Sequence, residues 1–266
     1  MKTRLGLDAN LPVTDIVSEA IKLIWLQSGF VLSRFFPFML ALALIDWLGK
    51  VLFPEQAGLM PMVFMLLSML LGVVFAIACH RFALADQDVP IQFKWSRDHW
   101  RYLWRGVQIG LVGGLVLMVA LIGFGMVAPG LLSAQGGAEA QLSGPAIGIA
   151  LVGLMLMLYV TSRLSVTLPE IAIGRPSSLK RAWKLSNGNG SRLVVVVWIV
   201  PIVLALPFMA AYLLESSLML FVAGMGAYIA TLISLITLSL SYRFLVDLER
   251  ESSPEKTDGD DSGFSA

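Results

Sequence analysis

The sequence predicts an all-α polytopic membrane protein: six transmembrane helices in three hairpin pseudo-repeats, each preceded by a short amphipathic helix at the cytoplasmic interface. Three observations predict it. The 266 residues are 57% hydrophobic and 14% charged, with a mean hydropathy of +0.80, whereas soluble domains run at about 45–50% apolar and about 25% charged. Six stretches approach the ~20 apolar residues that a helix needs to cross the hydrocarbon layer. Lysine and arginine, finally, fall in only every second connection between those stretches.

In chain order the expected spans are Phe30–Phe53, Leu59–Cys79, Gly106–Ala128, Ala146–Leu168, Leu193–Leu214 and Ser217–Tyr242. The first is interrupted by Arg34, Asp46 and Lys50. Asp46 and Lys50 are four residues apart, so they can pair on one helix face near the outer end. Pro37, Pro201 and Pro207 are expected to bend or break spans one and five. In span three, Gly106, Gly110 and Gly114 recur every fourth residue, a spacing that lets helix backbones approach closely, within the chain or between two protomers.

Orientation follows from charge. Lys2, Arg4 and Lys22 precede span one; Arg81, Lys94, Arg97, Arg101 and Arg105 lie between spans two and three. Arg175, Lys180, Arg181, Lys184 and Arg192 lie between spans four and five, and Arg243, Arg250 and Lys256 follow span six. Pro54–Gly58, Pro129–Pro145 and Glu215–Ser216 contain neither lysine nor arginine. Short cytoplasmic loops carry the basic excess, so both termini and both long basic loops are expected in the cytoplasm. The first residues lack the apolar core and small-residue cleavage site of a signal peptide, so no removable leader is expected. The membrane domain is expected over 1–246, and the polar, acidic stretch 247–266 as a disordered cytoplasmic tail.

An internal repeat orders these features. Lys22-Leu-Ile-Trp25, Arg101-Tyr-Leu-Trp104 and Lys180-Arg-Ala-Trp183 each stand just before an odd-numbered span, at intervals of 79 residues (104 − 25 and 183 − 104). Each even-numbered span closes on an arginine: Arg81, Arg163 and Arg243, at intervals of 82 and 80. The units cover about 13–84, 92–166 and 177–246. In each short helix an apolar or tryptophan stripe opposes a charged one; Leu179, Ala182, Trp183 and Ser186 oppose Lys180, Arg181 and Lys184. Such helices lie in the headgroup plane, with indole at the interface and cations toward anionic lipid. Ser177 or Ser178 is the expected N-cap of the third, and Gly188 its stop.

The stretch RLSVTLPEIAIGRPSSLKRAWKLSNGN, from Arg163 to Asn189, together with FKWSRDHWRYLWR in the second basic loop, resembles a bacterial inner-membrane family. That family is the membrane domain of glycerophosphoryl diester phosphodiesterase and its stand-alone, YciC-like relatives. The resemblance spans about Val13 to Val246, on a signature of about 25 residues. It implies a six-span domain in the bacterial inner membrane. It does not imply phosphodiesterase activity, because in the two-part members the hydrolase is a separate soluble barrel, for which this chain has no room.

No residue pattern argues for catalysis. His80 and His99 are the only histidines and have no acidic partner at ligand spacing; Cys79 is the only cysteine. There is no H-E-x-x-H, G-x-S-x-G or phosphate-loop motif. No enzyme, cofactor, metal or nucleic-acid partner is expected. An ionisable residue within a span is a candidate functional residue by default, so the candidate contacts to lipid, anion or partner are Arg81, Arg163 and Arg243, with Arg101, Lys180, Arg181, Trp104, Trp183 and Glu170. Structurally, the three repeat arginines can cap the C-terminal dipoles of the even spans, with Glu170 as partner to one of them. The leading expectation is a non-enzymatic protein that organises the cytoplasmic leaflet through anionic headgroups, or a membrane partner or second copy of itself. The alternative is a small transporter or permeability factor for an anionic, lipid-like or phosphorylated molecule, on which the three arginines converge.

Overall fold

A computed structural model describes residues 10–53, 58–84, 95–127, 144–214 and 216–252, and the regular structure among them is helical. The helices are α1 (Val13–Leu26), α2 (Ser28–Leu52), α3 (Leu59–Ala83), α4 (Arg97–Val127), α5 (Gly144–Ser165), α6 (Thr167–Ala172), α7 (Leu179–Leu185), α8 (Gly190–Met209) and α9 (Ser217–Ser252). Six stretches, α2, α3, α4, α5 continued into α6, α8 and α9, are long and apolar enough to cross a membrane. The chain is therefore a multi-pass membrane protein. Lys2, Arg4, Lys94, Lys256, Glu215 and most of the Pro54–Gly58 and Pro129–Pro145 connections lie outside the described residues.

Two of the three amphipathic helices stand apart from their spans and one does not. α1 and α7 are separate, but the second runs without a break into span three as the 31-residue α4. The reason is local. Only Gln27 separates α1 from α2, while Ser186-Asn187-Gly188-Asn189 separates α7 from α8. Between Trp100 and Gly110 no proline or capping residue stops the helix. The expected tail also starts later than Asp247: α9 continues through Asp247 to Ser252, and 253–266 lie outside the described residues.

Repeats one and three share a further feature. A wide π-turn covers Val31–Phe35 in α2 and Val195–Ile199 in α8. Pro37 and Pro201 follow at the same offset of 164 residues as the turns themselves (201 − 37 and 195 − 31). Proline lacks the N–H that would bond the carbonyl four residues back, and its ring crowds that carbonyl. Those carbonyls belong to Ser33 and Val197, both inside the π-turns, whose looser winding makes the room. α4 has no proline and no such turn.

Burial is graded along every even-numbered span in the same direction. α3 is largely exposed as far as Leu70 and buried without interruption from Val73 to Leu84. α5 is mostly exposed or half-buried up to Val160, and Thr161–Thr167 are all buried. α9 follows suit, with Leu238–Tyr242, Leu245 and Val246 buried near its basic end. The bundle is thus tightly packed at the end that bears the basic connections and loose at the other. Phe35 sits at the centre of the packed end, edge-on to Phe75 and Phe82 with ring centroids 6.0 and 5.4 Å away. Ile16 and Ala20 of α1 join the same core as Leu240 and Leu245 of α9. The N-terminal strand of chain is pinned there too: Leu11 N–H donates to Asn189 Oδ1 at 2.8 Å, and Arg192 donates to Leu11 O at 2.8 Å.

Between α4 and α5 the close approach uses different glycines from those expected. A Cβ on Gly106, Gly110 or Gly114 would meet nothing within 4 Å. A Cβ on Gly113 would lie 2.7 Å from Thr161 Cγ2, and one on Gly153 would overlap Ala120. The four-residue spacing was legible, but the stripe turns away from α5. In lipid, helix association depends on such small-residue packing rather than on water exclusion. Gly153→Leu should therefore destabilise the solubilised protein by about 2 kcal/mol, as overpacking does, while Gly110→Leu should stay within about 0.5 kcal/mol. Thermal unfolding in detergent checks the pair; equal shifts would refute the packing face assigned here.

Candidate functional site

The polar residues of the packed end form cross-links between elements. Arg81, near the end of α3, is buried; its Nε donates to Ala172 O at 2.7 Å and its Nη2 to Asp98 Oδ2 at 3.2 Å. Ala172 is the last residue of α6, so the guanidinium satisfies a carbonyl orphaned at a helix C-terminus. Asp98 also pairs with Arg101 at 3.8 Å, one turn along α4. Arg81 therefore ties α3, α4 and α6 together.

Arg163 does the same for α5 and α7. It is 5% exposed. Its Nε donates to Ser186 Oγ at 2.9 Å, its Nη2 to Trp183 O, and its Nη1 to Tyr159 Oη at 3.4 Å. The guanidinium carbon stands 3.8 Å above the Trp183 ring centre, a cation–π stack in a desolvated setting. Trp183 lies in the last turn of α7. So each of these two arginines caps a neighbouring short helix, not the end of its own span as expected. Tyr159 is four residues before Arg163, a helical neighbour that the spacing alone could have flagged.

Glu170 is 3% exposed and pairs with Arg181 Nε at 2.7 Å. Its partner is thus Arg181 of α7 and none of the three repeat arginines. Arg181 reaches on to Glu249 Oε2 of α9 at 3.4 Å, which links α6, α7 and α9. Ser178 is the N-cap of α7, its Oγ accepting from Arg181 N at 3.1 Å. Arg105 of α4 donates to Ser177 O at 2.9 Å just ahead of that cap.

His80 lies fully buried between three helices. Its Nδ1 is 2.7 Å from Ser239 Oγ and its Nε2 is 3.1 Å from Tyr102 Oη. Ser239 spends its own hydroxyl proton on Leu235 O at 2.8 Å. Ser239 Oγ must then accept from His80 Nδ1–H, and Nε2 accepts the Tyr102 proton. A nucleophile–base pair needs the opposite arrangement, serine donating to histidine. His99 serves its own helix: its Nδ1 accepts from Ser96 N at 3.0 Å, closing a cap at the start of α4.

The remaining candidates sit at the surface. Arg243 is exposed on α9, in a setting different from those of Arg81 and Arg163. Lys180 is exposed, and Trp25, Trp100, Trp104 and Trp183 are all exposed along the packed end. In the far half, Asp46 accepts from Tyr228 Oη of α9 at 2.5 Å, a cross-helix partner that the four-residue spacing to Lys50 did not anticipate. Cavities of about 400 and 270 Å³ flank Asp46 on the α3 and α9 sides of α2.

Sequence reasoning missed Asp98, Ser186, Tyr102 and Ser239, since each becomes significant only through a partner distant in the chain. No protein-family model, no curated protein and no solved structure matches the chain.

Proposed function

We propose that this is a non-enzymatic integral membrane protein that organises the leaflet on its basic side, through anionic lipid headgroups. In this reading the basic side is the cytoplasmic face of a bacterial inner membrane, as the lysine and arginine distribution and the family resemblance both suggest. The observation that carries it is the exposure of Trp25, Trp100, Trp104 and Trp183 on the helices of the packed end, together with exposed Lys180, Arg181 and Lys184 on α7. Indole rings favour the membrane interface, and each cation near an anionic surface contributes about 1 kcal/mol. Hydrogen bonds and ion pairs between α3, α4, α5, α6 and α7 hold these helices in place, so their exposed side chains can impose an arrangement on lipid. The Ser239–His80 geometry speaks against hydrolytic chemistry, and the different partners of Arg81 and Arg163 speak against their convergence on one transported anion.

Energy transfer between the protein's tryptophans and labelled phosphatidylglycerol in mixed proteoliposomes tests this. Anionic lipid should be enriched around the wild type, and Lys180→Gln combined with Lys184→Gln should cut the enrichment by up to about thirtyfold, at ~1 kcal/mol for each cation removed. Enrichment that ignores both salt and the double variant would overturn the proposal.

A further inference from the structure

We infer that the packed end holds a binding pocket for a phosphate group, built by residues other than the caps described above. A cavity of about 230 Å³ opens between the turn after α6 and the last turns of α9, floored by Leu84 and Val246. Its polar lining is Arg175, Tyr242, Arg243, Asp247 and Arg250. The four from α9 recur at positions 242, 243, 247 and 250, a helical spacing that brings them to one face.

Arg175 reaches the same cavity through a specific turn. Gly174 has φ +77°, its N–H donates to Ile171 O at 2.9 Å, and Arg175 N–H donates to Glu170 O at 3.1 Å. This pair of bonds is a Schellman motif, which stops α6 and satisfies its last carbonyls. It sets Arg175 as the second residue beyond the helix end, facing α9.

The pocket is short of acceptors. Tyr242 is 2% exposed, and its buried hydroxyl makes no hydrogen bond of sound geometry. The charged groups around it are the Glu170 carboxylate, already paired with Arg181, and the Arg175 guanidinium, which donates and cannot accept. Buried polar groups are nearly always satisfied. The lining thus carries three guanidiniums and a phenol against the one lining carboxylate of Asp247, which lies 3.8 Å from Arg250, and Arg175 and Tyr242 carry the site. The complement of such a site is a compact anion with several acceptor oxygens, and arginine forks match phosphate oxygens in geometry. The volume lies below the ~300–1,000 Å³ of pockets for drug-sized ligands and suits a headgroup. Tyr242 also marks where the apolar run of span six gives way to charge, the depth of lipid phosphates.

The ligand is thus a phosphate ester or free phosphate at the interface. This deepens the leaflet-organising reading and rests on it for the membrane setting. The test uses the full chain in nanodiscs, with Tyr242→Phe, which keeps the packed ring, and Arg175→Gln as variants. In one arm, native mass spectrometry counts phosphatidylglycerol retained from a mixture with excess phosphatidylcholine. In the other, inorganic phosphate or glycerol 3-phosphate is titrated against thermal stability in phosphatidylcholine alone. One retained anionic lipid, weakened about tenfold or more by Arg175→Gln through loss of a charge-assisted hydrogen bond, assigns the pocket to a lipid. Stabilisation by the soluble phosphates, lost in the same variants, assigns it to a free anion. Retention and stability that are the same in wild type and both variants would overturn the pocket. The lysine-dependent enrichment would survive that result, so failure of the pocket and failure of the leaflet reading are separable.

Discussion

Arg163→Ala is expected to lower the unfolding midpoint of the solubilised protein by about 9 °C, corresponding to about 3 kcal/mol at ~2–4 °C per kcal/mol for a chain of this size. The magnitude has two sources. Removing the guanidinium takes a donor from Ser186 Oγ and from Trp183 O, leaving the latter only a long 3.3 Å contact from Ser186 Oγ, and an under-satisfied buried polar group costs about 1–3 kcal/mol. It also removes a desolvated cation–π stack on Trp183, of the order of 2 kcal/mol. The effect should be local as well as global: α7 (Leu179–Leu185) is held to α5 through this side chain, so proteolysis between Arg175 and Gly190 should accelerate. Arg163→Lys should recover little, because an ammonium can neither stack flat on indole nor bond three partners in a planar fork. A lysine variant with wild-type stability and protease resistance would show that only the charge matters, and the capping role would be wrong.

The second large effect concerns Glu170. Its carboxylate is almost completely buried and depends on Arg181 at 2.7 Å. Removing one partner of a buried pair leaves an uncompensated charge, which costs about 3–5 kcal/mol. Because Arg181 is half-exposed and water can reach its side of the pair, the lower end applies, and Arg181→Ala should destabilise by about 3 kcal/mol. Glu170→Gln retains a hydrogen-bonding oxygen and buries no charge, so its cost should be nearer 1 kcal/mol. The double variant should then be more stable than Arg181→Ala alone. A double-mutant cycle of thermal midpoints measures this directly. Simple additivity of the two substitutions would mean that the pair contributes nothing to holding α6 against α7.

Different parts of this molecule were legible to different degrees. Hydropathy and loop charge are properties of each residue in its own short window, and six spans could be read from them because a bilayer imposes one length on every crossing. The prolines of spans one and five were also readable, but the π-turns that absorb them were not, because they depend on how the helix rewinds around Ser33 and Val197. The glycine stripe of span three illustrates the opposite case. Its spacing was legible, but within the chain it meets no neighbouring helix, since the side of a helix that meets a neighbour is chosen by the neighbour.

The candidate site divides along the same line. Arg81, Arg163, Arg181 and Glu170 could be picked out because charge within or beside an apolar span is costly and so marks a residue with a task. Their partners could not. Arg81 meets a carbonyl 91 residues away and His80 a hydroxyl 159 residues away, and no periodicity connects such positions. By itself the sequence determined that the chain has six stretches long and apolar enough to cross a membrane, about where each lies and which end of each carries the charge, because these follow from local transfer free energies. Only the tertiary structure decided that two repeat arginines cap neighbouring helices, that the third opens onto a donor-rich pocket with Arg175 and Tyr242, and that the bundle closes at one end alone. Those outcomes follow from the need to satisfy each buried donor and acceptor, and that need is met by whichever group the fold brings within hydrogen-bond reach.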